Sequence, residues 1–284
     1  MVIRVRRGAR DLAVELAPWL DRWVEQQPCT VDLHSGDVGW HLRLPDTHLD
    51  GCFRLWENGD GVLAAGLTDN GVLRLAISPE ARDSAGLAEA IAESCDVDYV
   101  DAPAGTALHD LLTAAGWSPD PDPWALLYKA LGPDDAAHVD PDTRTLDGPD
   151  DVAARTAVQR AAFAPGSTFH PDLWRRMTTG PTYDARFEMV TWTAEDEPAA
   201  AATGWFAGAG RCALLEPVGT SSGHRREGYA RRVSLAVTAA LAAAGASGVR
   251  VHTPTSNLAA VCTYEACGLR VVDRTVALVA PTAG

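Results

Sequence analysis

The chain has 284 residues, with 24 Lys and Arg against 38 Asp and Glu and a formal net charge of −14. So acidic a balance argues against nucleic acid or an anionic membrane surface as partner, since both attract basic surfaces, and it leaves room for a cationic substrate. The start, MVIRVRRGARDL, lacks the apolar run of a signal peptide, no apolar segment is long enough to span a bilayer, and Cys29, Cys52, Cys95, Cys212, Cys262 and Cys267 show neither Cys-x-x-Cys nor zinc spacing; the expectation is a cytoplasmic protein with reduced thiols and no metal site.

In chain order, the first half offers strands at 39–44, 52–57, 62–67 and 72–78, then a helix at about 85–94 and a strand at 97–102. A helix at about 106–115 ends at Gly116, and residues 124–131 read as a closing strand. Residues 132–151 hold seven aspartates and three prolines and almost no large apolar side chain, the composition of an exposed connection. We expect units at 1–135 and 148–284, joined by an acidic linker at 136–147.

The second half opens with helices at about 151–163 and 171–178. Strands at 187–193, 199–206 and 211–219 follow, with connections at 195–198 and 207–210 short enough for antiparallel hairpins. From 228 to 244 Ala230, Val233, Val237, Leu241 and Ala244 recur on one helical face. A strand at 249–253 comes next, making a parallel neighbour for 214–219 through the helical crossover. A helix at 257–267 ends at Gly268, and 269–279 is strand-like. Residues 73–78 echo 215–220, and Gly116-Trp117 echoes Gly268-Leu269, so the chain reads as one fold unit repeated. The expected class is α/β, with two mixed, mostly antiparallel sheets flanked by helices.

Residues 214–230, LLEPVGTSSGHRREGYA, read as a buried strand, a polar loop and an Arg-x-x-Gly-x-Ala turn that opens a helix. Arg225, Arg226, Arg231 and Arg232 crowd this turn in an otherwise acidic protein. They suit either a solvated helix end or a bound anion, because the first N–H groups of a helix are unpaired and partly positive.

Three features together resemble the GCN5-related N-acetyltransferase (GNAT) superfamily. They are the strand ending Glu216-Pro217-Val218-Gly219-Thr220, the turn Arg225 to Ala230, and the downstream block Ser256-Asn257 to Tyr264-Glu265 and Gly268-Leu269. The resemblance is strong over residues 146–278 and degenerate over 40–131, which implies two tandem GNAT-like domains. It also implies acetyl-CoA as cosubstrate. The pantetheine arm would pair with Val218, Gly219 and Thr220. The pyrophosphate would lie on the turn formed by Arg225, Arg226, Glu227, Gly228, Tyr229, Ala230 and Arg231. Asn257 would cap its helix or reach the ligand. Tyr264 would protonate the departing thiolate, and Glu216 would serve as base, directly or through water, with His224 and His252 as further candidates. Residues 164–183, with Phe169, His170, Trp174, Met177 and Tyr183, would form the acceptor side.

The first copy has Leu112 and Gly105 where the tyrosine and asparagine would stand, and its loop carries Glu80 and Asp83 instead of arginines. This implies a half that binds no acetyl-CoA and instead covers the acceptor side of the other. The implied activity is direct acetyl transfer to a primary amine of a small metabolite or antibiotic-like molecule, by a monomer or homodimer. Transfer to a peptide or protein amine, and a non-catalytic acyl-CoA sensor, are the alternatives.

Overall fold

The computed structural model describes residues 2–24 and 33–281. The first half contributes β1 (Arg4–Gly8), α1 (Arg10–Trp23), α2 (Ser35–His41), α3 (Asp46–Leu49), β2 (Phe53–Asn58), β3 (Gly61–Asp69) and β4 (Val72–Ile77). It continues with α4 (Ala85–Glu93), β5 (Tyr99–Asp101), α5 (Ala107–Ala114), β6 (Ser118–Pro119) and β7 (Trp124–Ala130). The second half contributes β8 (Thr143–Thr145), α6 (Pro149–Ala162), α7 (Pro171–Thr178), β9 (Glu188–Trp192), β10 (Pro198–Trp205) and β11 (Cys212–Thr220). Then come α8 (Tyr229–Ala243), β12 (Gly248–Pro254), α9 (Leu258–Ala266), β13 (Arg270–Thr275) and β14 (Leu278–Val279).

These elements form two seven-stranded mixed sheets flanked by helices, as the repeat implies. Their orders are β1-β2-β3-β4-β5-β14-β6 and β13-β7-β12-β11-β10-β9-β8. Each has one parallel pair, β4 with β5 and β11 with β12, and the remaining pairs are antiparallel. Local chemistry sets the hairpins. Asn70 and Gly71 both sit at positive φ (49° and 81°), the conformation that a two-residue turn between twisted strands requires.

The closing strands change places. β7 lies between β12 and β13 of the second sheet, and β14 lies between β5 and β6 of the first. Ala125 and Leu127 of β7 are buried with Val237, Leu241 and Val251, while Leu278 of β14 is buried with Leu75, Val100 and Leu108. The strand-like stretch 269–279 is therefore two strands serving two sheets. The acidic connection also does structural work, because β8 within it pairs with β9. Neither boundary drawn at 135 or 148 separates the two sheets.

Residues 39–44, expected as a strand, are instead the end of α2 and the turn after it. Their alternating pattern is overridden by a strong helix start. The Asp37 carboxylate accepts the His34 N–H at 2.7 Å, and His34 Nδ1 accepts the Gly36 N–H at 2.9 Å. With its end fixed this way, α2 packs against the second half. A Cβ at Gly36 would stand 2.4 Å from Trp205 Cγ, and one at Gly39 would stand 2.4 Å from Trp205 Cζ3. Gly36→Ala is expected to cost about 1–3 kcal/mol in denaturant unfolding through overpacking. An unchanged midpoint would mean that the two halves do not meet at this helix.

Among the described residues no helix is long and apolar enough to cross a membrane. Cys52, Cys95, Cys262 and Cys267 are free thiols. Cys212 is disulfide-bonded, which corrects the all-thiol expectation; a disulfide needs spatial proximity and no particular sequence spacing. Cys29 lies outside the described residues.

Candidate active site

β11 pairs with β10 along most of its length, from Leu214 to Thr220, but with β12 only at Cys212, Ala213 and Leu214. Beyond the Leu214–Arg250 pair the two strands part. The Ser221 N–H donates to Ala199 O at 2.8 Å. By the two-residue period of a strand, Gly219 turns its backbone groups to β10, and Val218 and Thr220 turn theirs to the open side. Glu216 and the cis-linked Pro217 lie at a bulge opposite Thr203, where the register shifts between Ala202 and Gly204. Gly219 itself answers to packing within the chain: a Cβ there would meet Ala162 Cβ at 2.8 Å and Phe163 Cε2 at 3.1 Å.

The open edge leads to the start of α8. Its N-cap, Gly228, is left-handed at φ 86° and has no side chain to cap the first turn. No N-cap side chain satisfies the amides of that turn, an arrangement that suits an anion. The four arginines divide. Arg232 is held by Asp140 and Asp142 at 2.6–2.7 Å, Arg225 donates to Ala162 O at 2.9 Å, and Arg231 donates to Ala266 O at 3.0 Å. Arg226 is exposed at φ 68°. Arg232 is thus a structural clamp on the acidic connection. Glu227 stands 3.9 Å from His224, which also faces Glu197 at 3.5 Å and Tyr229 across 5.9 Å. His224 accordingly belongs to the loop before α8.

Glu216 stands at the inner end of the open edge. Trp205 Nε1 donates to its carbonyl at 2.5 Å and fixes its backbone. The residue as a whole keeps partial contact with solvent. Burial, and then the Asp37 charge, push its carboxyl up to about 8, with Arg74 and Arg43 pulling the other way. Tyr264, 6% exposed on α9, lies within electrostatic reach of Glu216. Burial pushes its phenol above the ordinary tyrosine value, so it carries its proton at neutral pH. Asn257 is the N-cap of α9, and its side-chain oxygen accepts the Ala260 N–H at 3.3 Å, which satisfies the capping reading. His252, on β12, is pushed down to about 3 by burial and by Arg250, so it is neutral.

The predicted acceptor-side segment lies over the same face of the sheet. Buried Glu188 accepts from Arg155 Nε at 2.9 Å, Trp174 Nε1 at 2.8 Å and Tyr183 Oη at 2.6 Å. Met177 is buried against Trp205 and Leu214, and Phe169 packs on Trp40 of α2 at 5.3 Å. His170 and Phe163 remain about half exposed. Trp174 and Tyr183 also line a cavity of about 400 Å³ with Leu146, Val152 and Ala185.

The equivalent places in the first half are filled by the chain itself. β4 and β5 also part, after Arg74–Asp101, but Leu75 O on the parted edge accepts the Leu33 N–H at 3.0 Å. The first turn of α4 is capped by the Ser84 hydroxyl on Leu87 N at 3.3 Å. Leu112 is buried in the core of that half.

Sequence reasoning missed Asp37, Arg43 and Arg74, which the first half brings to Glu216, and His34, which fixes Asp37. The capping geometry at His34 and Asp37 was readable as a local signal, but nothing local says that it points at the other half.

A parted parallel pair, a helix start after it without a side-chain cap, and a carboxyl and a phenol within electrostatic reach of each other meet at the end of β11. Residues 157–269 match the model of the acetyltransferase (GNAT) family. Among solved structures, a GNAT-family acetyltransferase from Colwellia psychrerythraea is similar over 99% of this chain and 100% of its own, at 14% identity and a TM-score of 0.62. A GCN5-related N-acetyltransferase from Sphaerobacter thermophilus is similar over 99% and 97%, at 18% identity and a TM-score of 0.58. A tandem GNAT protein from the clavulanic acid biosynthesis pathway is similar over 100% and 99%, at 16% identity and a TM-score of 0.56. At these identities the likeness is one of fold. A search of curated protein sequences gives no match.

Proposed function

We propose that the second half transfers an acetyl group from acetyl-CoA directly to a primary amine of a small molecule. The observation that carries this reading is the continuity of three features. The open edge of Val218 and Thr220 runs to the uncapped start of α8, and Glu216 stands at its inner end. On this reading Val218 and Thr220 pair with the pantetheine arm, and the amides after Gly228, with Arg226, hold the pyrophosphate. Glu216 in its ionised form takes the proton of the attacking amine. An open backbone N–H beside it polarises the thioester carbonyl. Tyr264 gives its proton to the departing thiolate. The docking of α2 over this face supports a small acceptor over a peptide, because it covers the side on which an extended chain would lie.

A panel of primary amines, assayed for free-thiol release from acetyl-CoA, tests the reading. Amine-dependent release is expected; acetyl-CoA binding with no amine ever turned over would leave a sensor instead. The cradle has its own test. Arg226→Glu puts a negative charge beside the pyrophosphate and is expected to weaken CoA binding about tenfold or more by calorimetry. Unaltered affinity removes the pyrophosphate assignment.

A further inference from the structure

We propose that Asp37, from the first half, is a positioning residue for Glu216: the two carboxyls form one hydrogen-bonded pair across the junction of the halves, with Asp37 the charged member. The inference rests on Glu216 being the base, as read above. The Asp37 side chain is 2% exposed and each of its oxygens is engaged. Arg74 Nη2 lies 2.9 Å from Oδ1, and the His34 N–H donates to Oδ2 at 2.7 Å. The helix that carries it cannot slide, because Gly36 and Gly39 lie flush on Trp205, whose indole N–H holds the Glu216 carbonyl. The backbones that carry both members thus meet the same tryptophan.

The charges around the pair decide which member keeps the proton. From α2 and its flanks come His34 and Arg43, from β4 Arg74, from β5 Asp101, from β12 Arg250 and His252, and from α9 Tyr264. Burial works against the charge on Asp37, yet Arg74 and Arg250 hold it well below the usual carboxylate range. His34 and His252 are both neutral. Glu216 therefore donates its O–H to ionised Asp37 and ionises only against that charge. The first half then acts on the chemistry, holding the base ready to exchange a proton in the neutral range.

The test is a pH titration of the full chain carrying glutamate labelled with carbon-13 at Cδ, followed by NMR. One resonance should titrate well above the ordinary glutamate range and vanish in Glu216→Gln. In Asp37→Asn it should move acidward by at least one pH unit, and Asp37→Glu should keep it high. If Asp37→Asn does not fold, Asp37→Ser supplies the same arm. A Glu216 resonance unmoved in a folded Asp37 variant overturns the inference and leaves the proposed base intact. A wild-type Glu216 titrating in the ordinary range overturns both. A panel in which no amine is turned over, with the resonance behaving as described, removes the function and leaves the pair.

Discussion

Glu216→Gln is expected to lower kcat for amine acetylation by about a hundredfold to a thousandfold, with CoA affinity within about twofold of the parent, since general-base catalysis contributes roughly that much. Glutamine keeps the shape of the side chain and its contact with Asp37, so the loss isolates proton transfer. The pH dependence gives a second reading. Burial and Asp37 raise the Glu216 carboxyl to about 8, and only its ionised form accepts a proton. The parent rate should therefore climb with pH through the neutral range and level off above it. The variant should show only the ionisation of the acceptor. Stability moves the other way. The folded state holds the Glu216 proton more tightly than the unfolded chain, where the group titrates near about 4.3. This contribution is present at low pH and is lost as pH rises toward about 8. Glu216→Gln should therefore unfold with less dependence on pH over that window. A variant that acetylates at the parent rate across the whole profile would end the assignment of Glu216 as base.

Excision of residues 148–284, the stretch bearing the family's motifs, is expected to give no cooperatively folded protein. The reason is β7. It pairs with β12 at seven positions from Trp124 to Ala130, and with β13 on its other edge. Removing it unpairs the backbone of two strands at once and opens the core at Ala125 and Leu127, which are 2% and 0% exposed. Circular dichroism and amide NMR should show a collapsed chain without a sharp thermal transition, while the intact protein should unfold in one step. A peptide spanning residues 122–132, added in trans, should restore order to the fragment. A sharp transition in the excised half alone would show that β7 is dispensable.

The second half was legible because its signals are local. α7 falls on its expected residues, and β9 to β12 fall within about a residue of theirs, since hairpin lengths and the helical stripe after Gly228 leave little choice. The same holds for two local features: the glycine that opens α8 and the Asn257 cap of α9. What was not legible depends on partners. The sequence WALLYKA says that β7 is buried on both faces, and it says this equally for either sheet. Residues 39–44 alternate like a strand, but the reciprocal cap between His34 and Asp37 had already committed the chain to a helix. Asp37 and Arg74 reach Glu216 only through the docking of one half on the other, and no spacing along the chain encodes that meeting.

The exchange of closing strands also imposes an order in time. During synthesis the chain makes β7 long before β12 and β13 exist to receive it, so an apolar strand with two unpaired edges persists while the second half is made. The first sheet meanwhile keeps an open place between β5 and β6 until residues 278–279 have been added. The usual sequence, in which an N-terminal unit folds while the next is being made, is closed to this chain. Both sheets reach completion together, after the last strand is in place, and a nascent chain stalled between the halves is the species most exposed to aggregation.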